Sequence, residues 1–195
     1  GVLVQGHIKI HDPESGAVFV NKRNAIHYEN MSIALAESVA NQGQGFINSM
    51  AFGNGGTSVD PTGIITYLTP NSTGTNASLY NQTFTKIVDD RSVSNLDPQR
   101  NKIETRHVNG TNYTDVVVTC LLDYGEPNGQ DATDTASASD SLYVFDELGL
   151  VSFASSGTGK LLTHVVFHPV QKSLNRLIQI DYTVRVQSLT GFNEG

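Results

Sequence analysis

The chain has 195 residues, 38% hydrophobic and 16% charged, with a net charge of −7 and an isoelectric point near 5.2. That length suffices for one well-buried core, and its 12 scattered Lys and Arg argue against nucleic acid as the main partner, because neutralising phosphates needs clustered cations. The sequence opens without an apolar leader and its apolar runs are too short to span a bilayer, so no membrane partner is expected.

Val2, Val4, Ile8 and Ile10 alternate with Gln5, His7, Lys9 and His11, the period of a strand with one wet face. Asp12–Pro13–Glu14–Ser15–Gly16 supplies a turn and Ala17 to Val20 the return, which predicts an N-terminal hairpin. Tyr28, Met31, Leu35 and Val39 recur at helical spacing, with Asn24 or Asn30 available as N-cap and Gly43 as a stop signal. A helix is therefore expected near residues 27–42. Its narrow Ala-rich stripe suits close packing on a sheet or on a neighbouring subunit.

Phe46 to Phe52 reads as a strand running into Gly53–Asn54–Gly55–Gly56–Thr57. Gly53, Gly55 and Gly56 are expected to be backbone requirements, at a bulge or turn with positive φ. Ile64 to Leu68 allows a short strand. From Thr69 to Ser78 the chain is almost wholly Pro, Asn, Ser, Thr and Gly, a loop that is either mobile or held by a partner.

Strands are expected again at Tyr80 to Val88, Lys102 to Val108 and Thr114 to Leu122, the last apolar on both faces and hence central. Cys120 lies in that run and reads as a buried small hydrophobe. Gly125 to Asp140 carries Glu126, Asp131, Asp134 and Asp140 without a Lys or Arg, an exposed acidic loop. Leu142 to Phe145, Leu150 to Phe153 and Leu161 to Phe167 supply three further strands, and Leu177 to Val186 alternates almost without error. The expected fold is mainly β: an antiparallel β-sandwich, jelly-roll-like, of about eight to ten strands with one helix. It forms a single domain, 1–195, with extended loops at about 69–79 and 125–141. Asn71, Asn76, Asn81, Glu126, Asp131 and Asp134 on those loops are the candidate contact residues.

Chemistry-bearing patterns are few. His7 with His11, and His164 with His168, stand four apart, but in strands that spacing puts the rings roughly 13 Å apart, too far to share an ion; solvated strand faces are expected. Gly157–Thr158–Gly159–Lys160 resembles the end of a phosphate-binding loop, yet Ala154 and Leu161 stand where the motif needs Gly and Ser or Thr, so a hairpin turn is expected. The acidic loop lacks the ligand spacing of a dedicated calcium site. Asp146 and Glu147 are adjacent and in a strand would point to opposite faces, unlike a glycosidase pair. Neither a Gly-x-Ser-x-Gly elbow nor a partner for Cys120 is present. Six Asn-x-Ser/Thr triplets, at Asn30, Asn71, Asn76, Asn81, Asn109 and Asn112, are expected by chance in so Asn- and Thr-rich a chain. No enzyme activity, cofactor, metal or small-molecule substrate is expected.

Four segments taken in order resemble a group of structural proteins of tailed-bacteriophage virions: Asn24–Ala25–Ile26 leading into the helix, Met50 to Thr57, Asp146–Glu147–Leu148–Gly149–Leu150, and Leu161 to Lys172 followed by Tyr182–Thr183–Val184. The resemblance implies a non-enzymatic subunit, assembled in the host cytoplasm into the virion in many copies, in the neck, tail or baseplate. Its partners would be copies of itself and other virion proteins. Capsid decoration (a cement protein) and a receptor- or carbohydrate-binding module are the alternatives; a hydrolase with its site assembled across strands is a third.

Overall fold

The alternating segments at the two ends of the chain lie side by side. In a computed structural model that describes residues 1–127 and 142–189, β1 (Val2–His11) pairs antiparallel with β11 (Ile178–Ser188) from Val2↔Ser188 to His11↔Gln179. Their shared period of two turns Ile8, Ile10, Ile180 and Tyr182 to one side, all fully buried. Between them in sequence lie β2 (Val18–Ile26), α1 (Tyr28–Val39), β3 (Ile47–Gly53), β4 (Thr57–Val59), β5 (Ile65–Tyr67), β6 (Gln82–Ile87), β7 (Lys102–Arg106), β8 (Tyr113–Leu122), β9 (Leu142–Ser152) and β10 (Thr163–Ser173). Among the described residues the fold is mainly β and antiparallel with one helix, as the residue pattern predicts.

The two layers expected of a sandwich are halves of a single nine-stranded sheet, ordered β6-β3-β9-β10-β2-β1-β11-β8-β7. The halves meet where β10 pairs with β2 through Thr163↔Ile26 and His164↔Ala25. From that seam the sheet curls back on itself, and both halves contribute to one core: Ile8, Val118, Cys120, Leu122 and Ile180 from one, Met50, Phe52, Phe145, Leu150 and Phe167 from the other. Phe145 packs edge-on against Phe52 and Phe167, with ring centroids 5.4 and 5.7 Å away, geometry worth about 1 kcal/mol per pair beyond area burial. The outer strands also approach each other. Lys86 of β6 donates to the Leu121 carbonyl on β8 and pairs with Glu126 at 2.5 Å, while the Asp90 carboxylate accepts the Ile103 N–H of β7 at 3.2 Å.

Local expectations fare unevenly. The turn after β1 forms as predicted, with Asp12 Oδ1 accepting the N–H groups of Glu14 and Ser15. The cap of α1 is neither Asn24 nor Asn30: His27 Nδ1 accepts the Asn30 N–H at 3.1 Å. Leu142 to Phe145 and Leu150 to Phe153 are not separate strands, because β9 runs unbroken through Asp146 and Glu147. Thr57 to Val59, for which the residue pattern predicts no strand, pairs with Ile65 to Tyr67. That raises the count to eleven strands among the described residues. A smaller apolar cluster, Ala51, Leu79 and Leu161 with Ala77 and Val151, covers the outer face of β3 and β9. No helix among the described residues is long and apolar enough to cross a membrane.

Candidate functional site

Two adjacent carboxylates sit inside the fold, and every contact they make is to the chain itself. Gly53 faces Glu147 in the last pair of the β3–β9 ladder. On the other side of β9, the register with β10 jumps from Val166↔Glu147 to Val170↔Phe145. This bulge lets Asp146 and Glu147 both turn into protein. Glu147 is wholly buried. Its Oε1 accepts from the Tyr80 N–H at 2.9 Å and from His164 Nε2 at 2.8 Å, and its Oε2 accepts the N–H groups of Gly55 and Asn81 at 2.9 Å. Asp146 accepts the Gly56 N–H at 2.8 Å, the Thr57 N–H at 3.0 Å and the Thr57 hydroxyl at 2.6 Å. Three successive backbone amides thus converge on the pair as they would on a bound anion.

Burying a carboxylate costs several kcal/mol unless its lone pairs are satisfied. Burial does push the Glu147 carboxyl up, but the His164 N–H and the amides of Asn81, Tyr80 and Gly55 outweigh it and hold its pKa below the usual value. The imidazole has no spare nitrogen. His164 Nδ1 accepts the Asn71 N–H at 2.8 Å, so the ring proton resides on Nε2 and points at Glu147. A base so engaged on both sides is a brace rather than a proton carrier. This overturns the expected solvated face for the His164–His168 pair: His168 is exposed, but His164 is fully buried. Both Glu147 and His164 interrupt apolar runs, a signal that could have marked them as partners.

The brace organises the polar loop before β6, which hydrogen bonds within the chain tie down. Asn71 ties to His164 through its backbone and donates from Nδ2 to the Ser78 carbonyl at 2.7 Å. Asn81 is bound through its N–H to Glu147 and through its side chain to Asn54. His27 Nε2 meets the Gly74 carbonyl at 2.8 Å, and Asn30 Nδ2 donates to the Leu161 carbonyl at 2.9 Å. Of the candidate contact residues, Asn76 is exposed on this loop and Glu126 is engaged by Lys86; Asp131 and Asp134 lie outside the described residues.

The three glycines answer to space rather than to φ. A Cβ on Gly53 would stand 2.4 Å from the Asn81 carbonyl oxygen and 2.7 Å from Glu147 Oε2, and one on Gly55 2.8 Å from the Asn81 nitrogen. Gly56 is less tight, at 3.0 Å from Val166 Cγ1. The expected positive φ belongs to other glycines of the chain.

Beyond this anchor projects the β4–β5 hairpin. Its base is fixed by Asp146 and by the Leu68 N–H, which donates to the Gly56 carbonyl at 2.8 Å. Its tip is closed by Asp60, whose Oδ1 accepts from the N–H groups of Thr62 and Ile64. Between base and tip, Val59 (63%), Ile64 (62%), Tyr67 (50%) and Leu68 (41%) are exposed. Such a two-stranded piece is marginal by itself and depends on the carboxylates beneath it.

Elsewhere the paired histidines of β1 diverge: His7 is exposed, and His11 Nε2 meets Asp181 at 2.8 Å. Residues 153–160 form the hairpin turn between β9 and β10, with Lys160 bonded to Ser152. Cys120 is fully buried and burial pushes its thiol up to about 12. Among the described residues no three His, Cys, Asp or Glu side chains gather as a metal would require. Comparison with known protein families, with curated proteins and with solved structures gave no match for this chain.

Proposed function

We propose that the chain is a non-enzymatic structural subunit of a tailed-phage virion, assembling in many copies in the neck, tail or baseplate, with the 57–68 hairpin as its contact arm. The observation that carries this is the hairpin itself: four large apolar side chains held out in water on a scaffold stiffened at both ends. Exposed apolar groups on a rigid projection lose little entropy on docking, so most of their burial becomes affinity. The buried ionisable groups that converge, Glu147, Asp146 and His164, are meanwhile spent on the backbone. The order of the four sequence segments resembling virion proteins points the same way.

Val59→Asp combined with Ile64→Asp tests the proposal. These side chains touch little in the subunit, so the melting temperature is expected to hold while incorporation into particles fails. Wild-type copy number in particles carrying the double variant, or absence of the native chain from purified particles, refutes it. Quantitative mass spectrometry separates a neck, tail or baseplate ring from capsid decoration, which needs far more copies.

A further inference from the structure

Independently of the assembly proposal, we infer that the groove over the outer face of β3 and β9 is a binding site for a neutral carbohydrate. The groove has a volume of about 470 Å³, within the range of roughly 300–1,000 Å³ that holds small ligands. Its floor is the small apolar cluster of Val151, Leu79 and Leu161. Its walls present the hydroxyls and amides of Ser78, Gln82, Thr85 and Thr158. Not one of the fifteen lining residues is Asp, Glu, Lys, Arg or His, in a chain that is 16% charged. An anionic or cationic ligand would therefore meet no counter-charge there.

An apolar floor under uncharged donors and acceptors matches a sugar ring, which buries a C–H face and hydrogen-bonds around its rim. Phe153 stands at one end, stacked on Phe46 with centroids 5.0 Å apart and rings within 6° of parallel. The floor strands offer an extended peptide no free backbone, since β3 is paired by β6 and β9, and β9 by β3 and β10; the open edge of the sheet at this end is that of β6, and binding there is the peptide outcome that the test below separates.

Both walls are fixed in advance. Ser78 is held by Asn71, itself bonded to His164. The opposite turn is pinned by Lys160 on Ser152 and by Gly159, where a Cβ would fall 1.6 Å from the Ser152 carbonyl oxygen. A preformed groove avoids the ordering cost of binding.

The test is a printed array of neutral di- to tetrasaccharides with sialylated and sulfated counterparts, probed with the labelled full chain. The best neutral binder is then titrated by NMR beside a set of neutral extended hexapeptides. Neutral saccharides are expected to bind, and exposed Thr85→Glu or Thr158→Glu to weaken them by about tenfold or more. Ser156→Glu, outside the groove, and the Val59→Asp/Ile64→Asp hairpin variant are expected to bind as the native chain does. The inference is overturned if no neutral saccharide binds, if acidic saccharides bind better, if binding survives both groove substitutions, or if the hexapeptides perturb the groove residues instead.

Discussion

His164 Nε2 donates to Glu147 Oε1 at 2.8 Å, with both side chains inaccessible to solvent. That bond joins β10 to β9, and through the other ring nitrogen it reaches the loop at Asn71. The two projecting features of the molecule, hairpin and groove wall, therefore share one buried support.

Removing one partner from such a pair leaves the other buried and unsatisfied. His164→Ala is expected to destabilise the fold by about 3 kcal/mol or more, measured as the shift in urea midpoint at pH 7. A double-mutant cycle with Glu147→Gln should give a coupling well above that of a surface pair.

The same carboxylate sets an acid limit. Its folded pKa lies below its unfolded value, so its contribution is present above the unfolded pKa of about 4.3 and lost as pH falls through the folded value. Native stability should fall between pH 5 and 3 more steeply than that of Glu147→Gln; equal slopes would mean the carboxylate is not clamped as described.

Asp146 anchors the hairpin without being part of it. Asp146→Ala strips the acceptor from Gly56, Thr57 and the Thr57 hydroxyl, at about 2–3 kcal/mol. Amide exchange at Thr57 to Tyr67 should accelerate well beyond that of β1 and β11 if local opening is the result.

Glycine substitutions should rank by crowding. Gly53→Ala, aimed at the Asn81 carbonyl, is expected to cost about 2 kcal/mol or more. Gly63→Ala has open space and pays about 1 kcal/mol for its φ of +86°. Denaturation midpoints that reverse this order would contradict the close approach of residues 53 and 81.

Cys120 should resist thiol reagents at pH 8 in the native state and react on unfolding. Its folded pKa is raised to about 12 by burial, so the stability it contributes is complete below the unfolded pKa of about 8.5 and declines as pH rises toward the folded value. Cys120→Ala should remove that alkaline decline, read from melting temperatures between pH 8 and 10.

The alternation in Val2 to Ile10 and Ile178 to Val186 was enough to place both strands and their inward faces, because a period of two is a local property of a half-buried ladder. The apolar run around Cys120 likewise reported its own burial. The meaning of Asp146, Glu147 and His164 was not local. Along the chain, Asp146 and Glu147 read only as neighbours on opposite strand faces and His164 as one of a solvated pair, whereas their partners lie 17 to 93 residues away in sequence. Gly53 and Gly55 show the same division: their lack of a side chain was visible, but its purpose, room for Asn81, exists only after β3 and the 69–81 loop are brought together. Residue type alone thus determined most of the strands, the turn after β1 and the core positions, since those depend on neighbours along the chain, but not the continuity of β9 or the pairing of β4 with β5. Which polar groups could be buried was decided by the tertiary structure, because a charge leaves water only where distant donors have been assembled to receive it.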